Sequence, residues 1–172
     1  KAANGQPYLY SKLAADQLLS YLEKRILPEV RQKYMASSKA EDLYLIGTEY
    51  GGLFAMYAGM KNPQLFQNVA AISTNWLATP TYETSQLFQI YYQVLEQQFP
   101  KGSKAPAIYM AMSTEGFDAY NLIFQEQINA LFKAKKLGNH RFKYVEHREK
   151  PYAGVYGKQA AAALKFFSTL KK

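Results

Sequence analysis

The residues best equipped for chemistry stand in one short run, Asp42-Leu-Tyr-Leu-Ile-Gly47-Thr48-Glu49-Tyr50-Gly51-Gly52-Leu-Phe-Ala-Met-Tyr-Ala. It reads as an apolar strand, a glycine-framed turn and a helix. A turn of this kind presents its central residue at the carboxyl end of a strand, with backbone packed close on either side, so the framing positions favour glycine. In the pattern G-x-S-x-G that central residue is a serine nucleophile. Here both glycines are present, Gly52 extends the frame towards the helix, and Glu49 stands at the serine position. Strained backbone angles are expected at Glu49. A carboxylate can attack an electrophilic carbon without help from a base, but the covalent intermediate it forms must then be cleaved, and that step needs a base to activate water.

The elements that position this run follow from the apolar spacing. Residues 1–10 read as a leading loop. Ser11 is placed to cap a helix in which Leu18, Leu19, Leu22, Ile26, Leu27 and Val30 recur at helical spacing up to about Tyr34, with a kink or early end expected at Pro28. Ala36–Glu41 is a polar linker. Leu43–Ile46 is a short apolar run, and it, Val69–Ser73, Ala107–Met112 and Arg141–Glu146 read as strands. Between and after them, Gly51–Lys61, Thr84–Gln98, Ala119–Lys136 and Lys158–Leu170 read as helices, with Asn62-Pro63 and Gly138 as stops. Strands of this length alternating with helices imply an α/β fold, a mostly parallel sheet with helices on both faces.

With those elements in place, the chain resembles the putative esterases of the α/β-hydrolase fold, a family that includes siderophore esterases and relatives of esterase D. Beyond the glycine-framed turn, residues 53–66 are similar to that family's helix, which precedes a proline and a phenylalanine. Ala71-Ile-Ser73-Thr-Asn-Trp76 is similar to its next strand and tryptophan-bearing loop. Tyr109-Met-Ala-Met-Ser-Thr-Glu115-Gly116 is similar to the strand and loop that bring the triad acid. Glu149-Lys-Pro-Tyr152-Ala-Gly-Val155, followed by Leu164-Lys-Phe-Phe, is similar to the acid-x-His-x-x-Val segment and closing helix.

The resemblance implies roles. Glu49 holds the nucleophile position. Glu115 is the favoured acid, with Asp118 the second choice because its place before Ala119 also suits a helix cap. Tyr152 holds the histidine position, and a Glu49–Tyr152 contact would replace the usual Ser–His contact. His147 is the second choice for the base, against the reading of a strand-end histidine in solvent. Tyr50, whose backbone N–H follows the nucleophile position, and Trp76 are placed on the ligand. Tyr82, Phe88, Tyr91, Tyr92 and Phe99 form either an aromatic cap over a pocket or ordinary helix packing. The loss of both serine and histidine points to a binding or structural module, for a small-molecule or ester ligand or a protein partner. The competing reading is an active ester hydrolase using Glu49 with His147 as base.

The family's strand order also implies a strand beside Leu43–Ile46 that residues 1–10 are too short to supply. The chain therefore reads as a single domain, residues 1–172, forming the C-terminal portion of a larger one. The open edge would be covered by a preceding segment, a partner chain or a second copy. The start at Lys1 reads as a processed product or a fragment.

Composition bounds the remaining possibilities. Hydrophobic residues at 48% and charged residues at 20% describe a folded chain, and no apolar run approaches the ~20 residues of a membrane span. The absence of cysteine removes thiolate chemistry and leans towards a periplasmic or secreted protein. His140 and His147 lack metal-ligand spacing, so neither metal nor cofactor is expected. The net charge of +8 is spread along the chain, and the dense groups Lys133–Lys136 and Lys171–Lys172 sit where helix ends favour cations, so nucleic acid is not the expected partner.

Overall fold

The computed structural model describes residues 12–76, 85–98, 105–135, 141–150 and 153–170. The chain divides into two compact units, Lys1–Asp42 and Leu43–Lys172.

In the first unit, α1 (Lys12–Tyr21) runs into α2 (Leu27–Tyr34) through a single π turn, Leu22–Ile26. Pro28 accounts for its position. Proline has no N–H for the helix ladder, and its ring crowds the carbonyl one turn back. Widening the preceding turn, with the Leu27 N–H donating to the Leu22 carbonyl, moves that carbonyl aside while the rod continues. The break expected at Pro28 is thus absorbed as one wide turn. The extra residue also sets the faces. Leu19 and Leu27 are buried, whereas Leu18, Tyr21, Ile26, Val30 and Tyr34 are exposed.

The second unit holds a parallel four-stranded sheet in the order β1 (Tyr44–Thr48), β2 (Asn68–Ile72), β3 (Ala107–Ser113), β4 (Phe142–His147). Parallel neighbours need crossovers, and the helices supply them: α3 (Tyr50–Lys61), α4 (Ser85–Gln98), α5 (Leu122–Ala134) and, after β4, α6 (Ala153–Thr169). Side chains alternate across the sheet. Ala70, Ile72, Ala107, Tyr109 and Ala111 form one face and pack with Ala163 and Phe167 of α6. The intervening residues Val69, Ala71, Ile108, Met110 and Met112 face the other way and are equally buried. There Gly59 brings α3 close to Val69, and Gln125 of α5 reaches the Met110 sulfur. Both faces are therefore covered, as the continuous apolar strands imply.

The sheet runs from β1 directly into α3, and two glycines make that possible. A Cβ on Gly47 would be driven into the Gly51 carbonyl, and one on Gly52 into the Thr74 hydroxyl. Gly51 is different: a Cβ there would meet nothing within 4 Å, and its φ is not positive. The expectation that Gly51 leaves steric room is thus corrected; its carbonyl, not its missing side chain, fills the turn.

A sharp contrast should follow on chemical denaturation. Gly47→Ala should cost about 3 kcal/mol by overpacking against backbone that cannot yield. Gly51→Ala should be neutral or add up to ~1 kcal/mol through helix propensity. Equal losses at both positions would show that the close backbone approach does not govern this turn.

Candidate functional site

All four strands end on one side of the sheet, and the candidate residues follow those ends. Glu49 comes directly after β1 with φ 52° and ψ −116°, a conformation that costs a non-glycine residue about 1–3 kcal/mol. Three backbone hydrogen bonds hold it. Its N–H donates to the Ile72 carbonyl at 3.1 Å, and its carbonyl accepts from Gly52 N–H at 3.1 Å and Asn75 N–H at 3.4 Å. The side chain is exposed, at the amino terminus of α3, where the helix dipole favours a carboxylate. Its Oε1 accepts a hydrogen bond from the Tyr156 hydroxyl at 2.9 Å. Burial, and then the bond to Glu49 with the charges of Glu49 and Asp118, push the Tyr156 phenol well above its usual range, so it remains a donor.

Ser73 follows β2, also with positive φ (47°), and its N–H donates to the Ala111 carbonyl at 2.7 Å. Its side chain is 2% exposed.

After β3 comes a 3₁₀ helix, Gly116–Asn121, running into α5. With three residues per turn, positions three apart share a side. Asp118 and Asn121 therefore point inward, 3% and 1% exposed, while Phe117 and Tyr120 point outward, 50% and 56% exposed. One oxygen of Asp118 accepts the Ser113 N–H at 2.9 Å. Burial raises the Asp118 pKa; the neighbouring Ser73 hydroxyl, the Ser113 N–H and His147 draw it back, and the charge of Glu49 adds to the rise. The cap expected of Asp118 is thus not formed: its carboxylate turns back to the Ser113 N–H at the end of β3. Glu115, the favoured acid in the sequence, is exposed, and its backbone N–H donates to the Ser113 hydroxyl at 3.0 Å. Asp118, not Glu115, shares the neighbourhood of Glu49.

His147 ends β4. Its carbonyl accepts the Thr114 N–H at 2.8 Å, and both ring nitrogens are buried without a hydrogen-bond partner among the described residues. The expectation of a solvated histidine is corrected: register with β3, pairing Ser113 with His147, draws the ring in beside Asp118. Tyr152 and His140 lie outside the described residues. The residue that meets Glu49 is instead Tyr156, one helical turn beyond Tyr152. Nothing in its spacing singles it out, because Tyr156 falls one residue past the acid-x-His-x-x-Val pattern.

Tyr50 opens α3 and is about one-third exposed. Trp76 is not available as a ligand face. It is 1% exposed, its indole N–H donates to Gln125 Oε1 at 2.9 Å, and Phe88 meets it edge-on at 6.5 Å. Phe88 also packs on Tyr92 and Phe124, so the described part of the aromatic cluster is core. Tyr82, Phe99 and the Tyr91 side chain lie outside the described residues. Among the described residues no three carboxylate or histidine groups converge as metal ligands would, and no helix is long and apolar enough to cross a membrane.

A parallel sheet covered on both faces, with a strained strand-to-helix turn and a buried acid at its carboxyl edge, defines an α/β-hydrolase-type domain. The putative esterase profile matches residues 8–167, and the chain belongs to that family. No curated protein matches the sequence. Among solved structures, the chain is similar to the enterochelin esterase from Shigella flexneri at 16% identity and TM-score 0.73, over 95% of this chain and 42% of that one. It is similar to the siderophore hydrolase EstB from Aspergillus nidulans at 19% identity and TM-score 0.65, over 90% and 57%. It is also similar to the S-formylglutathione hydrolase FrmB from Staphylococcus aureus at 12% identity and TM-score 0.61, over 90% and 65%. The chain thus spans less than two thirds of each of these proteins, and what it shares with them is the fold.

The buried acid carries a pH signature. Its folded pKa is raised, so the stability it contributes is fully present below the ordinary carboxylate pKa of about 4 and is lost as pH rises through the folded value. Asp118→Asn keeps an acceptor for the Ser113 N–H and removes the titration. The stability of the variant relative to wild type, from urea midpoints, should therefore rise between about pH 4 and pH 7. A relative stability that does not change with pH would remove Asp118 from this role.

Proposed function

We propose that this chain is a non-catalytic member of the putative esterase family, a ligand- or partner-binding module with Glu49 at the nucleophile position of its strand-to-helix turn. One observation carries the reading: the Glu49 carboxylate is engaged by the Tyr156 hydroxyl, where serine hydrolysis needs a hydroxyl engaged by a base. A phenol pushed above its usual pKa gives a hydrogen bond and does not take a proton. The carboxylate also brings negative charge to the Tyr50 amide, where an ester's developing oxyanion would need positive potential. The enterochelin, siderophore and S-formylglutathione hydrolases among the structural neighbours make small ester-bearing molecules the first ligands to screen.

A second reading, an ester hydrolase with Glu49 as nucleophile and His147 as the base for water, draws on the buried, unpartnered His147 ring beside Asp118. A chromogenic short-chain acyl ester separates the two. No turnover above background is expected, with at most one equivalent of acyl group retained. Sustained turnover that disappears in Glu49→Gln would overturn the non-catalytic reading.

We further propose that residues 1–172 act as the C-terminal portion of a larger α/β-hydrolase-like domain, with β1 covered by another strand. Among the described residues β1 is an edge, and Tyr44-Leu45-Ile46-Gly47-Thr48 carries none of the charges or prolines that usually blunt one. The Glu49 N–H points to β2, so by alternation those of Leu45 and Gly47 do too, and those of Ile46 and Thr48 face the open side. Light scattering of the 172-residue chain should report self-association, with slow hydrogen exchange at Ile46 and Thr48. A monomer whose Ile46 and Thr48 amides exchange as fast as an unfolded peptide would show the edge to be open.

A further inference from the structure

We propose that the start of α6 is a conformational latch: a weak stretch of helix held shut by the bond from Tyr156 to Glu49, and free to open when that bond is lost. This goes beyond the binding reading and does not depend on whether the chain turns over an ester.

The first observation is that one helix is built in two ways. Its opening turns carry Gly154 and Gly157. Glycine loses more backbone freedom on entering a helix than alanine does, so each weakens the helix around it. Nothing in the packing asks for glycine at 157: a Cβ there would meet nothing within 4 Å, and its φ is not positive. Its local effect is therefore to loosen the start of α6. The rest of the helix opens with Gln159-Ala-Ala-Ala-Ala-Leu-Lys165, a run of strong helix formers, and lays Ala163 and Phe167 fully buried against the sheet.

The second observation is how few side chains hold those opening turns. Val155 is buried and anchors them. Lys158 pairs with Glu149 at 2.6 Å, but both side chains are largely exposed, and such a pair holds weakly in water. The remaining tie is the Tyr156 hydroxyl, which donates to Glu49 Oε1 at 2.9 Å. A charged acceptor makes this a stronger hydrogen bond than one between neutral groups.

The third observation is that the two ends of this tie differ in rigidity. Glu49 stands on backbone pinned to Ile72, Gly52 and Asn75. Tyr156 is half-buried and lies between the two glycines. When the bond breaks, the turn at Glu49 keeps its place and the α6 end moves. A change at the carboxylate is thus felt 107 residues away, at the start of a helix whose later turns stay packed.

Hydrogen exchange followed by NMR on the full 172-residue chain tests this. The amides of Gly157, Lys158, Gln159 and Ala160 bond the carbonyls of the opening turn and report on it, whereas those of Ala163 to Phe167 report on the packed part. Tyr156→Phe removes the hydroxyl alone. It should speed exchange at Gly157–Ala160 about tenfold and leave Ala163–Phe167 unchanged. Glu49→Ala should do the same from the far end of the bond, and the double variant should do no more than either single one, because both remove one interaction. Gly157→Ala placed in the Tyr156→Phe chain should slow exchange again by about fivefold, by strengthening the helix itself. Unchanged exchange at Gly157–Ala160 in Tyr156→Phe, a rise spread evenly to Ala163–Phe167, or additive effects of the two single substitutions would each overturn the latch. Tyr156→Phe leaves the strained turn untouched, so it decides the matter even where Glu49→Ala disturbs folding.

Discussion

A strand that must become a helix within one residue leaves the chain almost no room, and the approach of Gly47 to the Gly51 carbonyl is where that room is found. The consequences spread outward. Because α3 begins at Tyr50, Glu49 is forced to φ 52°. Its strained backbone is then pinned by bonds to Ile72, Gly52 and Asn75, which tie the turn to the end of β2. Gly52 and Gly59 let α3 lie close to Thr74 and Val69, so the helix that begins at the turn also covers one face of the sheet. The strain at Glu49 is thus opposed by the packing of a whole helix, and the side chain it presents is held at the sheet's carboxyl edge.

At that edge the chemistry is governed by which polar groups are buried and which are not. Glu49 is open to solvent and is met by a phenol. Asp118 is buried and is satisfied by Ser113 N–H. The 3₁₀ period sorts Asp118 from Phe117, and a turn of ordinary α-helix would not separate those two sides so cleanly. Buried Trp76, Gln125 and Asn129 form a separate bonded row beneath, with Gln125 giving its N–H to Asn129 at 2.8 Å. That row belongs to the core and accounts for a tryptophan in this loop by packing alone.

Much of the fold was legible in the residues. The four runs became four parallel strands within a residue or two of their expected limits; β2 and β3, buried on both faces, are largely apolar, whereas β4 carries exposed Lys143 and Glu146. The glycine frame marked the turn, because only a missing Cβ tolerates backbone at that distance from Gly47. The closing helix began earlier than expected, at Ala153 in place of Lys158, and that difference matters: the added first turns carry Tyr156. The sequence pattern there was dominated by Gly154 and Gly157, which lower helix propensity, whereas packing against the sheet, with Val155 fully buried, decides the matter.

By itself the sequence determined the family, the α/β order of elements and the presence of a carboxylate between the framing glycines, since these depend on local spacing and on residue type. Only the tertiary structure decided which acid is buried, where the histidine ring goes and what meets Glu49. Those outcomes depend on register and on helix phase. The pairing of Ser113 with His147, the three-residue period of Gly116–Asn121 and the angular position of Tyr156 on α6 bring together groups up to 107 residues apart. No spacing along the chain encodes such a meeting, because it arises from the packing of separate elements against a common sheet.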